Sequence, residues 1–214
     1  PQVAGAAIAL MTETLSDLDP TRAGSDLHKL NRVASSVRLQ VARDTFRLID
    51  LAERMDSAVV MLQKEVAQRL MARPGTREYG VPTVLFAACA EVRPLLAVAP
   101  AEFHPRPKVD SLVVRIAFQP QPARVTGLGS FDRALFTRIV HAVFGQRRKT
   151  LLNGLAGMVP GGDKTRLAEM VRAAGIDPST RAETLGLEDF VGLTRSLAPL
   201  SGPSAQPRPP TTPI

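Results

Sequence analysis

"FHPRPKVDSLVVRI", residues 103–116, decides how the first half of this chain is read. Pro105 and Pro107 fix their own φ angles and push His104 and Arg106 toward extended backbone, so the segment is a stiff turn. The run "VDSLVVRIAF", Val109 to Phe118, then has the β-branched content of a strand. Working back from it, "SAVVMLQ", Ser57 to Gln63, is a short apolar run with paired valines, the pattern of a buried strand. "KEVAQRLMARPG" follows as a helix of about two to three turns, with Arg73 in its last turn and Pro74 and Gly75 ending it. "VPTVLFAACAEVRPLLAV" is apolar enough to be interior and is divided by Glu91 to Pro94; we read two buried strands, although periodicity leaves a helix open for part of it.

Character changes further along. "QPQPARVTGLGS" is a linker by composition. Beyond Phe131, "FDRALFTRIVHAVFGQRRKTLLNGLAGM" carries two helices divided near Gly145, "GDKTRLAEMVRAAG" a third that stops at Gly175, and "LEDFVGLTRSLAPL" a fourth. From Pro199 the tail is Pro and Ser rich and buries too little to order itself. Upstream, Asp26 to Met55 spaces Leu30, Val33, Val37, Val41, Phe46, Ile49 and Leu51 as one or two amphipathic helices. Four segments result: residues 1–54 helical, 55–120 α/β, 121–198 helical and 199–214 a disordered tail.

With 214 residues, 44% of them hydrophobic, the chain can bury a sizeable core. Aromatics make up 4%, Trp is absent and Tyr79 is the one tyrosine, so any platform for a nucleic-acid base must come from the eight phenylalanines. A formal net charge of +7 attracts phosphate backbones or anionic membrane surfaces without choosing between them. Cys89 stands alone, which excludes an intramolecular disulfide and a thiolate cluster, and His28, His104 and His141 lack metal-ligand spacing. We expect no metal. The opening "PQVAGAAIALM" lacks a basic leader and is too short to span a bilayer, so the expectation is a cytoplasmic protein without a membrane anchor. Pro1 in place of Met points to a fragment or a processed chain.

Two groups of residues carry candidate chemistry. Phe103 heads the stiff turn; it either caps the core beside the strand or serves as a platform on which a base taken out of its stack can lie. Arg147, Arg148 and Lys149 open a helix whose Leu151, Leu152 and Leu155 face the core, and such a run is either a solvated face or a phosphate-binding site. Arg93, Arg106, Lys108 and Arg115 add positive charge around the turn, and Asp110 is expected to pair locally. Thr184 reads as the N-cap of the last helix, with Glu188 and Asp189 in its first turn. Glu65 and Glu91 are isolated carboxylates and receive no catalytic role.

From about Met55 to Leu197 the chain resembles the KsgA-type ribosomal RNA adenine dimethyltransferases. "MLQKEVAQRLMARPGTREYG", "FHPRPKVDSLVVRI", "FGQRRKTLLNGL" and "AGIDPSTRAETLGLEDFVGLTR" stand in the family's order and close to its spacing. The resemblance implies the C-terminal part of a Rossmann-like methyltransferase sheet followed by a small all-α domain. It implies transfer of methyl groups from S-adenosylmethionine to N6 of two adjacent adenosines of small-subunit rRNA. Phe103 would then help hold the flipped adenine, and Arg147, Arg148 and Lys149, with Arg106 and Lys108, would face the rRNA of a 30S-type subunit. Family members also carry a Gly-rich turn and an acidic residue for the cofactor, and an Asn-Leu-Pro-Tyr motif whose Asn oxygen and a backbone carbonyl accept the N6 hydrogens. That motif should fall near Ser35, where this chain reads "SSVRLQVA". We therefore expect residues 1 to about 45 not to be the family's catalytic half, through truncation, a frame error or domain replacement. An rRNA-binding protein without the methyl-donor site is the alternative function.

Overall fold

The computed structural model describes residues 48, 49, 52, 55–158 and 163–200. The expectations for residues 1–45 and for most of the amphipathic stretch lie outside the described residues, as does the tail beyond residue 200. Leu48 and Ala52 are described, and both are buried against the sheet core named below. One compact unit ends at Gly129 and a second begins at Ser130.

The first unit holds three strands, β1 (Ser57–Gln63), β2 (Glu91–Val98) and β3 (Ser111–Ala117), in the order β1-β3-β2. Both outer strands run antiparallel to β3, so they are parallel to each other and β3 is inserted between them. Helices α1 (Lys64–Leu70) and α2 (Val81–Ala87) make the crossover from β1 to β2. Alternation along the strands separates two faces. Ala58, Val60 and Leu62 of β1 join Val114 and Ile116 of β3 under Ala67, Leu70 and Phe86 of the helices. Val59 and Val113 point the other way, where Val98, Met61, Leu96 and Phe103 pack with them. Phe86, Ile116 and Phe118 are fully buried, and each such side chain contributes about 1.5–3 kcal/mol from burial.

Several local readings change. Residues 81–87 form a helix rather than a strand. Gly80 is extended, Pro82 occupies a first-turn position where its missing N–H is no loss, and Thr83 Oγ accepts the Gly80 N–H at 3.2 Å. A segment buried on all sides has no periodicity to betray its geometry. The same Thr83 hydroxyl donates to the Arg69 carbonyl. The same oxygen also takes the Ala72 N–H in a tightened last turn, and α1 stops at Leu70, short of Arg73. Glu91 to Pro94 does not divide strands but belongs to β2, an edge strand, where Pro94 is tolerated beside an irregularity in register before Leu96. The linker contains one turn of helix, α3 (Ala123–Thr126). Arg124 donates from Nε to Ala87 O at 3.2 Å and from Nη2 to Ala90 O, capping the end of α2.

The second unit packs α4 (Arg133–Gly145), α5 (Leu151–Leu155), α6 (Lys164–Ala173) and α7 (Leu187–Leu197). Asp132 caps α4 by accepting the Ala134 and Leu135 N–H groups at 2.9 and 3.0 Å, and Asp163 does the same for α6. Each cap is worth about 1 kcal/mol. Ile139, Val140, Leu155, Val171, Phe190 and Leu193 are among its fully buried core. Ser196 Oγ donates to Met170 O, fastening α7 to α6, and the Arg195 guanidinium donates to Ser130 O. The N-cap of α7 is Gly186, not Thr184: Thr184 ends a 3-10 turn, Ala182–Thr184, and its hydroxyl donates to Arg181 O. Asp189 instead accepts the Gly186 N–H at 2.8 Å.

Candidate nucleic-acid interface

Phe103 sits where β2 has just left the sheet. A 3-10 turn, Pro100–Glu102, reverses the chain, and the Phe103 N–H donates to Pro100 O at 3.3 Å. The His104–Pro105 peptide is cis, and the register Val98↔Ser111 brings the chain back at the start of β3. Phe103 is half-buried, its packing partners being Val59, Val98 and Val113 with Met61 and Leu96. The core-capping reading therefore holds for part of the ring, and part stays accessible. Arg106 and Lys108 lie on the same connection and are exposed. Asp110 reaches Lys64 at 3.1 Å, from the far end of the crossover rather than locally, and the Lys64 N–H donates to Asp110 O at 2.9 Å. Glu91 is not isolated: it pairs with Arg93 at 3.0 Å, and Arg93 faces Arg115 across the β2–β3 ladder.

Arg147, Arg148 and Lys149 do not open a helix. α4 ends at Gly145, the three cations form the turn, and α5 begins only at Leu151. All three are exposed. The turn is closed by Lys149 N–H to Gln146 O at 2.8 Å. The first amides of α5, on Leu151 and Leu152, donate to Thr180 O and Pro178 O at 2.7 and 3.2 Å, so a distant segment satisfies what Thr150 leaves uncapped. Arg147 Nε meets Glu183 Oε2 at 3.1 Å. Among the described residues Arg148 and Lys149 have no ion-pair partner. Ser179 supplies Asp177 with a backbone N–H at 2.9 Å and a hydroxyl hydrogen bond, and these hold the exposed carboxyl below its ordinary value of 3.8.

The candidate residues thus fall in two groups, Phe103, Arg106 and Lys108 in the first unit and the cationic turn in the second. Sequence reading misses Glu183 and the 178–180 carbonyls, although the neighbouring Thr184 is read as a helix N-cap. A carboxylate placed one residue before the threonine was the available signal. Among the described residues no three His, Cys, Asp or Glu side chains converge as metal ligands, and no helix is long and apolar enough to cross a membrane.

A strand inserted antiparallel between two parallel ones, followed by a separate helical unit, defines the class: a Rossmann-like methyltransferase fold. In agreement, a dimethyladenosine transferase from Plasmodium falciparum superposes with a TM-score of 0.59 at 20% identity, covering 73% of this chain and 63% of that one. The chain matches the ribosomal RNA adenine dimethylase family over residues 43–198, and it belongs to that family. It is 40% identical over 157 residues to the ribosomal RNA small subunit methyltransferase A of Desulfotalea psychrophila, covering 70% of this chain and 52% of that protein. The protein of the same name from Geobacillus kaustophilus is 36% identical over 220 residues, 94% of this chain and 74% of the relative. The chain spans about half the length of the Desulfotalea relative.

Proposed function

We propose that this chain acts on small-subunit ribosomal RNA, within a 30S-type particle in the cytoplasm, as an adenine N6-dimethyltransferase of its family. The observation that carries the reading is Phe103, held half-buried by Val59, Val98 and Val113 at the head of a stiff connection in a chain of this family. A ring fixed on one side by the core loses little entropy when a base stacks on its accessible part, and such a stack is worth about 1–3 kcal/mol. Arg106 and Lys108 are exposed beside it, and Arg148 and Lys149 present charge from the helical unit, where each neutralised phosphate releases a counterion.

S-adenosylmethionine is the methyl donor expected for the family, and bound it would supply the methyl group. In the family the Gly-rich turn that takes it precedes the strand corresponding to β1, ahead of the described residues, and the β1–α1 turn, with no glycine and with the first amide of α1 bonded to Asp110 O, does not replace it. No step through the donor is therefore assigned to these residues. The sequence near Ser35, "SSVRLQVA" where the family has Asn-Leu-Pro-Tyr, favours a second reading, an rRNA-binding protein without methyl transfer. Both are separated by one experiment on the 214-residue chain with unmethylated small-subunit rRNA and labelled S-adenosylmethionine. The first reading expects label in adenine and a loss of about ten- to a hundredfold in rate for Phe103→Leu, which keeps apolar packing but removes the ring. RNA binding with no label and no calorimetric uptake of the donor establishes the second.

A further inference from the structure

Within that RNA-binding reading, on which this inference rests, we infer that the three cations of the 147–149 turn are not equivalent: Glu183 and Arg147 position the turn, and Arg148 and Lys149 make the phosphate contacts. Arg147 spends its guanidinium Nε on Glu183 at 3.1 Å, across 36 residues of sequence. The pair is partly shielded, with side-chain exposures of 41% and 29%, so it is not a pair fully washed by solvent. It stands beside two further ties between the same segments, Leu151 N–H to Thr180 O and Leu152 N–H to Pro178 O. Ser179, between those two carbonyls, is bonded in turn to Asp177. The segment 177–183 is thus the bed on which the cationic turn lies. With Arg147 drawn toward that bed, the neighbouring Arg148 and Lys149 are left exposed and without an ion-pair partner among the described residues. A turn already ordered before binding retains the part of the affinity that immobilising long side chains would otherwise consume.

The arrangement makes a prediction opposite in sign to simple electrostatics. Glu183→Ala removes a carboxylate beside a cationic turn and takes the formal net charge from +7 to +8. If Glu183 were only a nearby negative charge, RNA affinity would rise. As a positioning residue its loss lowers affinity, by roughly two- to tenfold for one or two side chains released. Glu183→Gln, which keeps an oxygen acceptor for the Arg147 Nε–H, restores at least part of the loss. The second readout is the salt slope of binding to a small-subunit rRNA transcript, measured on the full chain. Arg148→Ala and Lys149→Ala each reduce it by about 0.7 to 0.9, one phosphate apiece, whereas Arg147→Ala lowers affinity and leaves the slope unchanged. An affinity gain in Glu183→Ala, or a slope loss in Arg147→Ala equal to that of its neighbours, overturns the assignment. Unchanged affinity and slope in both Arg148→Ala and Lys149→Ala likewise overturns it, whereas no binding of the transcript by the parent chain overturns the RNA-binding reading itself, a distinct result.

Discussion

Asp177 shows how one exposed side chain can organise a site it never touches. Its carboxylate accepts the Ser179 N–H, which fixes the turn whose Pro178 and Thr180 carbonyls receive the first amides of α5. Those bonds favour the charged form, so the folded-state value lies below the ordinary one of 3.8. The sign follows: the contribution is fully present above the unfolded value and is lost as pH falls through the lower folded value. Asp177→Asn is therefore less stable than the parent at neutral pH, and urea titrations should show the gap closing as pH drops below about 4. A gap that persists undiminished at pH 2.5 would mean that charge plays no part in holding the turn. Phe103 is the contrasting case, a residue whose place was legible from the sequence because two prolines announce the stiff turn. How much of its ring the core takes was not legible, since Val59, Val98 and Val113 come from three separate strands or strand ends.

At the scale of elements, legibility followed the kind of signal each segment carries. β1 is legible to the residue, because the apolar run Ala58–Leu62, with its paired valines, ends abruptly at Gln63 and Lys64. α2 was read as a strand: a helix buried on every face shows no stripe, and its Gly80–Thr83 cap is a weaker signal than its Val and Leu content. The cationic run was placed on a helix because Leu151, Leu152 and Leu155 continue an apolar rhythm, and nothing local reveals that α5 takes its amide partners from residues 178 and 180. The contact between α4 and α5 was equally hidden, and it depends on Gly154. A Cβ there would lie 3.0 Å from the Val143 Cα, a backbone atom with little room to give. Gly154→Ala should destabilise the helical unit by about 1–3 kcal/mol as an overpacked contact. Gly157→Ala serves as the control, since its Cβ would meet nothing within 4 Å, and it should fall within about 0.5 kcal/mol of the parent in the same denaturant series.

For the molecule as a whole, the α/β-then-helical order was visible in composition, with Pro-rich sequence between two apolar patterns. Its boundary was placed at residue 120, whereas the compact units meet at Gly129 and Ser130. The difference is physical: Arg124 bonds to Ala87 and Ala90, and Val125 is buried, so the start of the apparent linker belongs to the first unit. The boundary itself falls within Gly127 to Ser130, three of whose four residues are exposed. The helical unit beyond it has its own caps at Asp132 and Asp163 and its own buried set, with Ile139, Leu155, Val171 and Phe190 fully enclosed. A core of this size is marginal but sufficient for many small domains. Limited digestion of the intact chain with a low-specificity protease should therefore cut, among the described residues, first between Gly127 and Ser130 and release a C-terminal fragment that still melts cooperatively. Because Arg148, Lys149, Arg147 and Glu183 all lie within it, that fragment should keep most of the salt dependence of RNA binding, losing only the contributions of Arg106 and Lys108, about 0.7 to 0.9 in slope for each that contacts a phosphate. A fragment that melts without cooperativity would show that the helical unit depends on the first for its fold; a folded fragment with no salt-dependent binding would move the RNA contacts to the connection that carries Phe103.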